Sequence, residues 1–283
     1  MDTAEELPTV IAFCAGYGGI ERGLELAGVK HRVIAYVEIE AYCVANLIAK
    51  MEAGLLVPAP VYTDIKTFPS ELFRGKVSLL TGGYPCQPFS AAGSRKGEDD
   101  PRHLWPFIRR HIAAIRPDRV FFENVEGHIS LGLSSVIADL GEDDYRATWG
   151  IFSAREVGAP HQRKRVYILA DSNGSGQQAQ RNEFRPERQT PATCESSQLA
   201  DSKSVGIQRL WSGGIEESDS HGQAELSLCQ SQRPKYAAWD AEPRVGRVVD
   251  GCTNRVDRIR LLGNAVVPQT AAKAYSVLSE RML

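Results

Sequence analysis

The sequence contains no run of eighteen apolar residues, so no segment reads as a membrane-spanning helix. Its opening, Met1-Asp2-Thr3-Ala4-Glu5-Glu6, has neither the basic start nor the apolar stretch of a secretory signal. The six cysteines, at Cys14, Cys43, Cys86, Cys194, Cys229 and Cys252, include no C-x-x-C pair, and no His/Cys spacing of a metal site is found. That argues against a disulfide scaffold and a zinc module, and a reducing, cytoplasmic compartment is expected, where a thiol persists. An excess of positive charge is also missing: the formal net charge is −2, which announces no nucleic-acid binder. Net charge hides distribution, however. Residues 1–60 hold eight acidic against four basic side chains, and residues 233–260 seven basic against four acidic, so any phosphate-facing surface is expected in the later half.

What is present suffices for one α/β domain and a smaller lobe: 283 residues, 42% of them apolar. The most telling stretch is Leu79-Leu80-Thr81-Gly82-Gly83-Tyr84-Pro85-Cys86-Gln87-Pro88-Phe89-Ser90. Val77 to Leu80 reads as a buried strand that Gly82-Gly83 ends. Pro85 and Pro88 then stiffen a loop around Cys86. Open α/β sheets bind ligands just beyond the C-terminal ends of their strands, and a thiol held there is a candidate nucleophile.

Other strand ends deliver polar residues in turn. Val10 to Cys14 reads as a first strand, running through Gly16-Tyr17-Gly18-Gly19 into a helix from Ile20 to Ala27. Such a turn lets a ligand approach the backbone and meet amides at a helix N-terminus. Val33 to Val37 ends at Glu38, about twenty residues on, where a carboxylate can accept both hydroxyls of a ribose. Asp64 follows the short pair Val61-Tyr62 and suits either an adenine amino group or a helix cap. After Leu104 to Ile115, read as a helix, the strand Arg119 to Phe122 brings Glu123 and Asn124 to its end. A carboxyl buried there would have its affinity for a proton raised. Gly127 to Leu140 reads as helix, Ala147 to Ser153 as strand, and Val166 to Leu169 as a strand preceded by Arg163, Lys164 and Arg165. Alternation would set both arginines on one face, suited to a carbonyl and a phosphate or carboxylate.

Beyond residue 170 the composition shifts to Ser, Gln, Gly and Asn, and Leu199-Ala200-Asp201-Ser202 echoes Leu169-Ala170-Asp171-Ser172. Such a segment is either low-complexity chain or a lobe whose polar side chains read base edges. Leu261 to Gln269 then opens a final helix from Pro268 to Leu283.

Taken together, Gly-Gly-Tyr-Pro-Cys-Gln-Pro-Phe-Ser, Ala15 to Gly19, Phe122-Glu123-Asn124-Val125, Gln162 to Val166 and Leu262 to Pro268 resemble, in order, the motifs of the DNA (cytosine-5)-methyltransferases, of the bacterial or phage restriction-modification type. The resemblance implies a Rossmann-like α/β sheet with a smaller, irregular target-recognition lobe. It implies a catalytic and cofactor-binding domain at 1–170, target recognition at 171–240, and a return of 241–283 that completes the first domain. The cofactor implied is S-adenosyl-L-methionine, held by Phe13, Ala15, Gly16, Tyr17, Gly18 and Gly19, by Glu38, Ile39, Asp64 and Ile65, and by Pro85, Asn264 and Val266. Cys86, Glu123, Arg163 and Arg165 are the implied catalytic set, acting on cytosine in double-stranded DNA within a bacterial or phage-infected cytoplasm. A mobile loop carrying Ser90, Arg95 or Lys96 near phosphates is implied as well. One departure stands out: where the family usually writes Asp-Leu-Phe-Ala-Gly, this chain has Ala12-Phe13-Cys14-Ala15-Gly16.

The chemistry implied needs no metal, and a monomer is expected. Three rivals share parts of the pattern. An RNA (tRNA) cytosine methyltransferase would differ mainly in the middle segment. A nicotinamide-dependent thiol enzyme would use the glycines and Glu38 but leave the arginines unexplained. A catalytically dead DNA-binding relative would have no need of Cys86 and Glu123.

Overall fold

A computed structural model describes residues 7–85, 104–173 and 263–283. These residues fall in one unit, to which both ends of the chain contribute. Apolar runs supply the strands. β1 (Thr9–Phe13), β2 (Arg32–Val37), β4 (Leu79–Gly83) and β5 (Arg119–Val125) are buried on both faces, as parallel strands covered by helices must be. With the short β3 (Val61–Tyr62) and the antiparallel pair β6 (Tyr145–Ser153) and β7 (Lys164–Ser172), they form a sheet ordered β3-β2-β1-β4-β5-β7-β6. β1 to β5 run parallel, and β7 enters antiparallel between β5 and β6.

Two apolar layers sandwich this sheet. On one face Ile11, Phe13, Leu80 and Phe122 meet helix α3 (Trp105–Ile115) and helix α5 (Leu133–Glu142). On the other, Val10, Leu79, Phe121 and Leu169 meet α1 (Gly19–Leu26) and the last helix, α6 (Pro268–Arg281). The sequence from Gly127 to Leu140 is broken at Gly132 into α4 (His128–Leu131) and α5 rather than forming one helix. α2 (Ala41–Glu52), between β2 and β3, was not marked from the sequence and carries no capping side chain at its start.

Three strands run on past their expected ends. β4 runs through Gly82 and Gly83 instead of stopping before them. A Cβ on Gly82 would come within 3.2 Å of the Phe13 carbonyl oxygen, so the glycine permits the close approach of β1. β5 continues through Glu123 and Asn124, placing both within the strand. β7 is an interior strand that reaches Ser172, because Asp171 finds a buried partner in Arg119. The expected target-recognition segment, 171–240, lies outside the described residues apart from its first three positions, as do Cys86, Ser90, Arg95 and Lys96.

Candidate active site

The parallel strands end on one side of the sheet, and their loops enclose a cavity of about 660 Å3. That size is typical of small-molecule sites. β1 exits through Cys14 (φ 49°) and Gly16 (φ 56°), both left-handed, and Gly18 (φ 83°) turns the chain into α1. The Gly16 amide donates to Glu38 Oε2 at 2.7 Å, and the Glu40 amide donates to Glu38 Oε1 at 2.8 Å. The Glu38 carboxylate is therefore fixed across the ends of β1 and β2, with lone pairs still available on both oxygens. Asp64 takes the expected cap position. Its Oδ1 caps the 3-10 turn Ile65–Thr67 by accepting from the Lys66 amide at 2.8 Å, and the residue also lines the cavity. His111 holds this turn from beneath, its Nε2 2.6 Å from the Ile65 carbonyl oxygen and its Nδ1 hydrogen-bonded to Ser70.

Ile39 is 74% exposed at the cavity wall, an apolar side chain left open where a flat ring could lie. Ile65, Pro85 and Asn264 line the same space. Phe13 does not reach it, being fully buried against Phe68 and His111. Phe13, Ala15, Tyr17, Gly19 and Val266 instead border a second, small cavity of about 30 Å3 behind the glycine turn. Tyr17 joins the chain ends: its hydroxyl donates to the Val266 carbonyl at 2.6 Å, while Lys50 Nζ donates to the Tyr17 carbonyl at 2.7 Å. Cys14 also faces the large cavity. Burial, reinforced by the nearby Glu38, pushes its thiol up to about 12, so it is no ready thiolate.

Across the cavity stands Glu123, 6% exposed. Burial raises its carboxyl to about 7, against the opposing pull of Arg165 and then Arg163. Arg165 Nε lies 2.8 Å from Glu123 Oε1. A Cβ on Gly83 would crowd Glu123 Oε2 at 3.3 Å, so glycine there leaves room for the carboxyl. The two arginines do not share a face in the expected way. Arg163 precedes β7 with φ 34°, outside the alternation, and its Nη2 donates to the carbonyls of Gly263 (2.8 Å) and Ala265 (2.5 Å). It ties the C-terminal segment to the site.

The large cavity thus brings together Gly16, Glu38, Asp64, Glu123, Arg165 and Asn264. Neither cavity is lined by Gly18 or Arg163, and Cys86 lies outside the described residues. Sequence reasoning missed Tyr42, Tyr84 and Lys66 on the wall, and gave Asn124 no role. The Asn124 Nδ2 is buried with no hydrogen-bond partner among the described residues. Among those residues no helix is long and apolar enough to cross a membrane, and no group of His, Cys, Asp or Glu could hold a metal ion.

Residues 9–234 match the family model described as C-5 cytosine-specific DNA methylase. Among curated proteins, the chain is 34% identical over 169 residues to the type II methyltransferase M.NaeI of Lentzea aerocolonigenes, covering 58% of this chain and 40% of that protein. It is 32% identical over 169 residues to the type II methyltransferase M.NgoMIV of Neisseria gonorrhoeae, covering 58% and 52%. The matches thus span about half the length of these relatives or less. Among solved structures, the Dnmt2 methyltransferase of S. pombe superposes with a TM-score of 0.50 at 25% identity, over 65% of this chain and 57% of that one.

Proposed function

This chain belongs to the C-5 cytosine-specific DNA methylases, and on that footing we propose that it transfers a methyl group from S-adenosyl-L-methionine to C5 of cytosine in double-stranded DNA. The observation that carries the reading is Glu123: a buried carboxyl poised near neutrality, held by Arg165, on the wall of a cavity that also presents Glu38 and Asp64.

The residues present suit the cofactor. Glu38 would take the ribose hydroxyls, Asp64 the adenine amino group, Ile39 and Ile65 the ring faces, and the Gly16 to Gly19 turn with Asn264 the amino-acid end. The orphaned Asn124 Nδ2 and the 660 Å3 volume are the features expected of a site built for a polar ligand of that size. When bound, S-adenosyl-L-methionine supplies an electrophilic sulfonium methyl.

Cytosine C5 is a poor nucleophile, and the chain's groups act to change that. The target base leaves the stack, as for enzymes that do chemistry on a base. Cys86, as thiolate, adds to C6, and cysteine is the side chain best suited to do so at neutral pH. Glu123, able to hold a proton near pH 7, delivers it to N3 as the bond forms, making the ring enamine-like at C5. Arg165 keeps that carboxyl oriented and can meet the base carbonyl at O2. After methylation a base removes the C5 proton and the Cys86–C6 bond breaks.

Tritiated methyl transfer to duplex DNA and to transfer RNA tests this. DNA is expected to be labelled by the wild type, with Cys86→Ser slower by several orders of magnitude. Label on transfer RNA alone would assign the chain to RNA, and Cys86→Ser turnover within about tenfold of wild type would remove that residue from the mechanism.

A further inference from the structure

One buried carboxylate has no part in the reaction just described. Glu21 stands on the first turn of α1, 4% exposed. Its Oε1 accepts from Thr81 Oγ1 on β4 at 2.6 Å, but Oε2 is buried with no hydrogen-bond partner among the described residues. A structural acid at such depth is normally paired, as Asp171 is with Arg119 in the same fold. Among the described residues Glu21 has no lysine or arginine partner of this kind. The titratable groups that feel it are His31, Glu25 and the phenols of Tyr17 and Tyr36.

The position of Glu21 points to a ligand. It borders the 30 Å3 cavity behind the glycine turn and is the sole carboxylate among the described residues lining it. Ala12, which pairs with Thr81 across β1 and β4, contributes none. That small cavity adjoins the large one, sharing Cys14, Gly16, Gly83, Asn264 and Ala265 with it. Its volume is sufficient for a water or an ammonium group. The N-terminus of α1 (Gly19, Ile20) borders the same cavity, a site for a carboxylate. The two features together match a zwitterion: amides for its anionic end, Glu21 for its cationic one.

We propose that Glu21 Oε2 receives the α-ammonium of the amino-acid end of an S-adenosyl ligand. The assignment rests on the cofactor reading above and adds to it a specificity residue for the amino-acid moiety. Burial raises the Glu21 carboxyl above its ordinary value, and an ammonium arriving opposite Oε2 favours its charged form.

Calorimetry on the full chain tests this with two ligands that undergo no methyl transfer. S-adenosylhomocysteine keeps the amino-acid end, and 5′-methylthioadenosine lacks it. Glu21→Gln keeps the Thr81 contact and the side-chain shape. It is expected to weaken S-adenosylhomocysteine tenfold or more, leave methylthioadenosine within twofold, and melt like wild type. Wild type is expected to bind the deaminated analogue of S-adenosylhomocysteine at least tenfold more weakly than S-adenosylhomocysteine itself. This last comparison needs no variant and holds even if Glu21→Gln folds poorly. Equal weakening of both ligands, undiminished S-adenosylhomocysteine binding in folded Glu21→Gln, or equal affinity of wild type for the deaminated analogue would overturn the assignment. A wild type that binds neither ligand would instead sink the cofactor reading itself.

Discussion

Glu123 and Arg165 meet diagonally across the antiparallel pair β5 and β7, Arg165 lying beside Val125 in register and reaching back to Glu123 Oε1 at 2.8 Å. The ion pair does not by itself keep the carboxyl ionised. Burial outweighs it and lifts Glu123 from 4.5 to about 7. A carboxyl raised on folding contributes its stability fully below the unfolded value and loses it as pH rises through the folded one. Wild type should therefore lose stability relative to Glu123→Gln between about pH 4.5 and 7. The difference should approach ~3 kcal/mol, the worth of a shift of that size. Melting curves of both proteins at pH 4.5 and 8 check this, and parallel curves would mean that Glu123 ionises normally in the folded state.

The same residue should separate chemistry from binding. If its proton matters only as the ring is activated, Glu123→Gln slows the single-turnover rate far more than it weakens DNA binding. Rapid-quench methylation and filter binding measure the two. Lost DNA affinity with an unchanged rate would make Glu123 a binding residue.

Arg163 offers a third prediction, through its bonds to the carbonyls of Gly263 and Ala265. These contacts, with Tyr17 on Val266, hold the segment that carries Asn264 against the cavity. Arg163→Ala should weaken S-adenosylhomocysteine about tenfold, the scale of a lost charged hydrogen bond. Lysine should restore little, because a single ammonium does not reproduce the guanidinium fork. Calorimetry on both variants decides, and full rescue by lysine would leave only the charge as important.

How far these relationships were legible depends on whether they are local. β1, β2, β4 and β5 showed themselves as short apolar runs, and each polar residue just past or within a run's end (Glu38, Asp64, Glu123) does line the cavity. Long-range pairing left no such mark. That β7 lies between β5 and β6 is set by registers such as Phe122 with Ile168 and Trp149 with Ile168, which no window of sequence contains. Glu21 was missed for a related reason. It follows Ile20 in a helix whose neighbours Arg22 and Glu25 are exposed and paired to each other, and in the sequence it entered only the count of acidic residues in 1–60. Only its packing against Thr81, sixty residues away, shows otherwise.

Helix packing gives a fourth prediction. A Cβ on Gly23 would stand 2.6 Å from the Ala271 Cβ and 2.8 Å from the Pro268 carbonyl oxygen, where α1 crosses α6. Neither obstacle is the end of a flexible side chain, so the helices must separate. Gly23→Ala should cost about 1–3 kcal/mol, as overpacking does. Arg22→Ala, one residue away in an exposed ion pair, should cost less than about 1 kcal/mol. Denaturant unfolding of both compares them, and equal stabilities would mean that α6 is not seated on α1 as found.

The fifth prediction concerns what fixes the far end of the same helix. Arg119 on β5 makes two bonds to Asp171 on β7, from Nε to Oδ1 at 2.5 Å and from Nη2 to Oδ2 at 2.9 Å. Its Nη1 donates to the Tyr275 hydroxyl on α6 at 2.9 Å, and both ionic side chains are buried. The arrangement fastens two strands and a helix that are distant in sequence. Removing either charged partner strands the other in a site with little water, which should cost about 3–5 kcal/mol. Replacing both by apolar residues of similar length, as in Arg119→Met with Asp171→Leu, leaves no buried charge. The double variant should then be more stable than either single one, although it has lost more hydrogen bonds. Tyr275→Phe should cost only about 1 kcal/mol in wild type and close to nothing in the double variant, where its hydroxyl has already lost this cation. Urea unfolding of the set measures these couplings. A double variant as unstable as the sum of the singles would show no coupling between the two side chains, and would overturn the account in which each single variant strands its partner's charge.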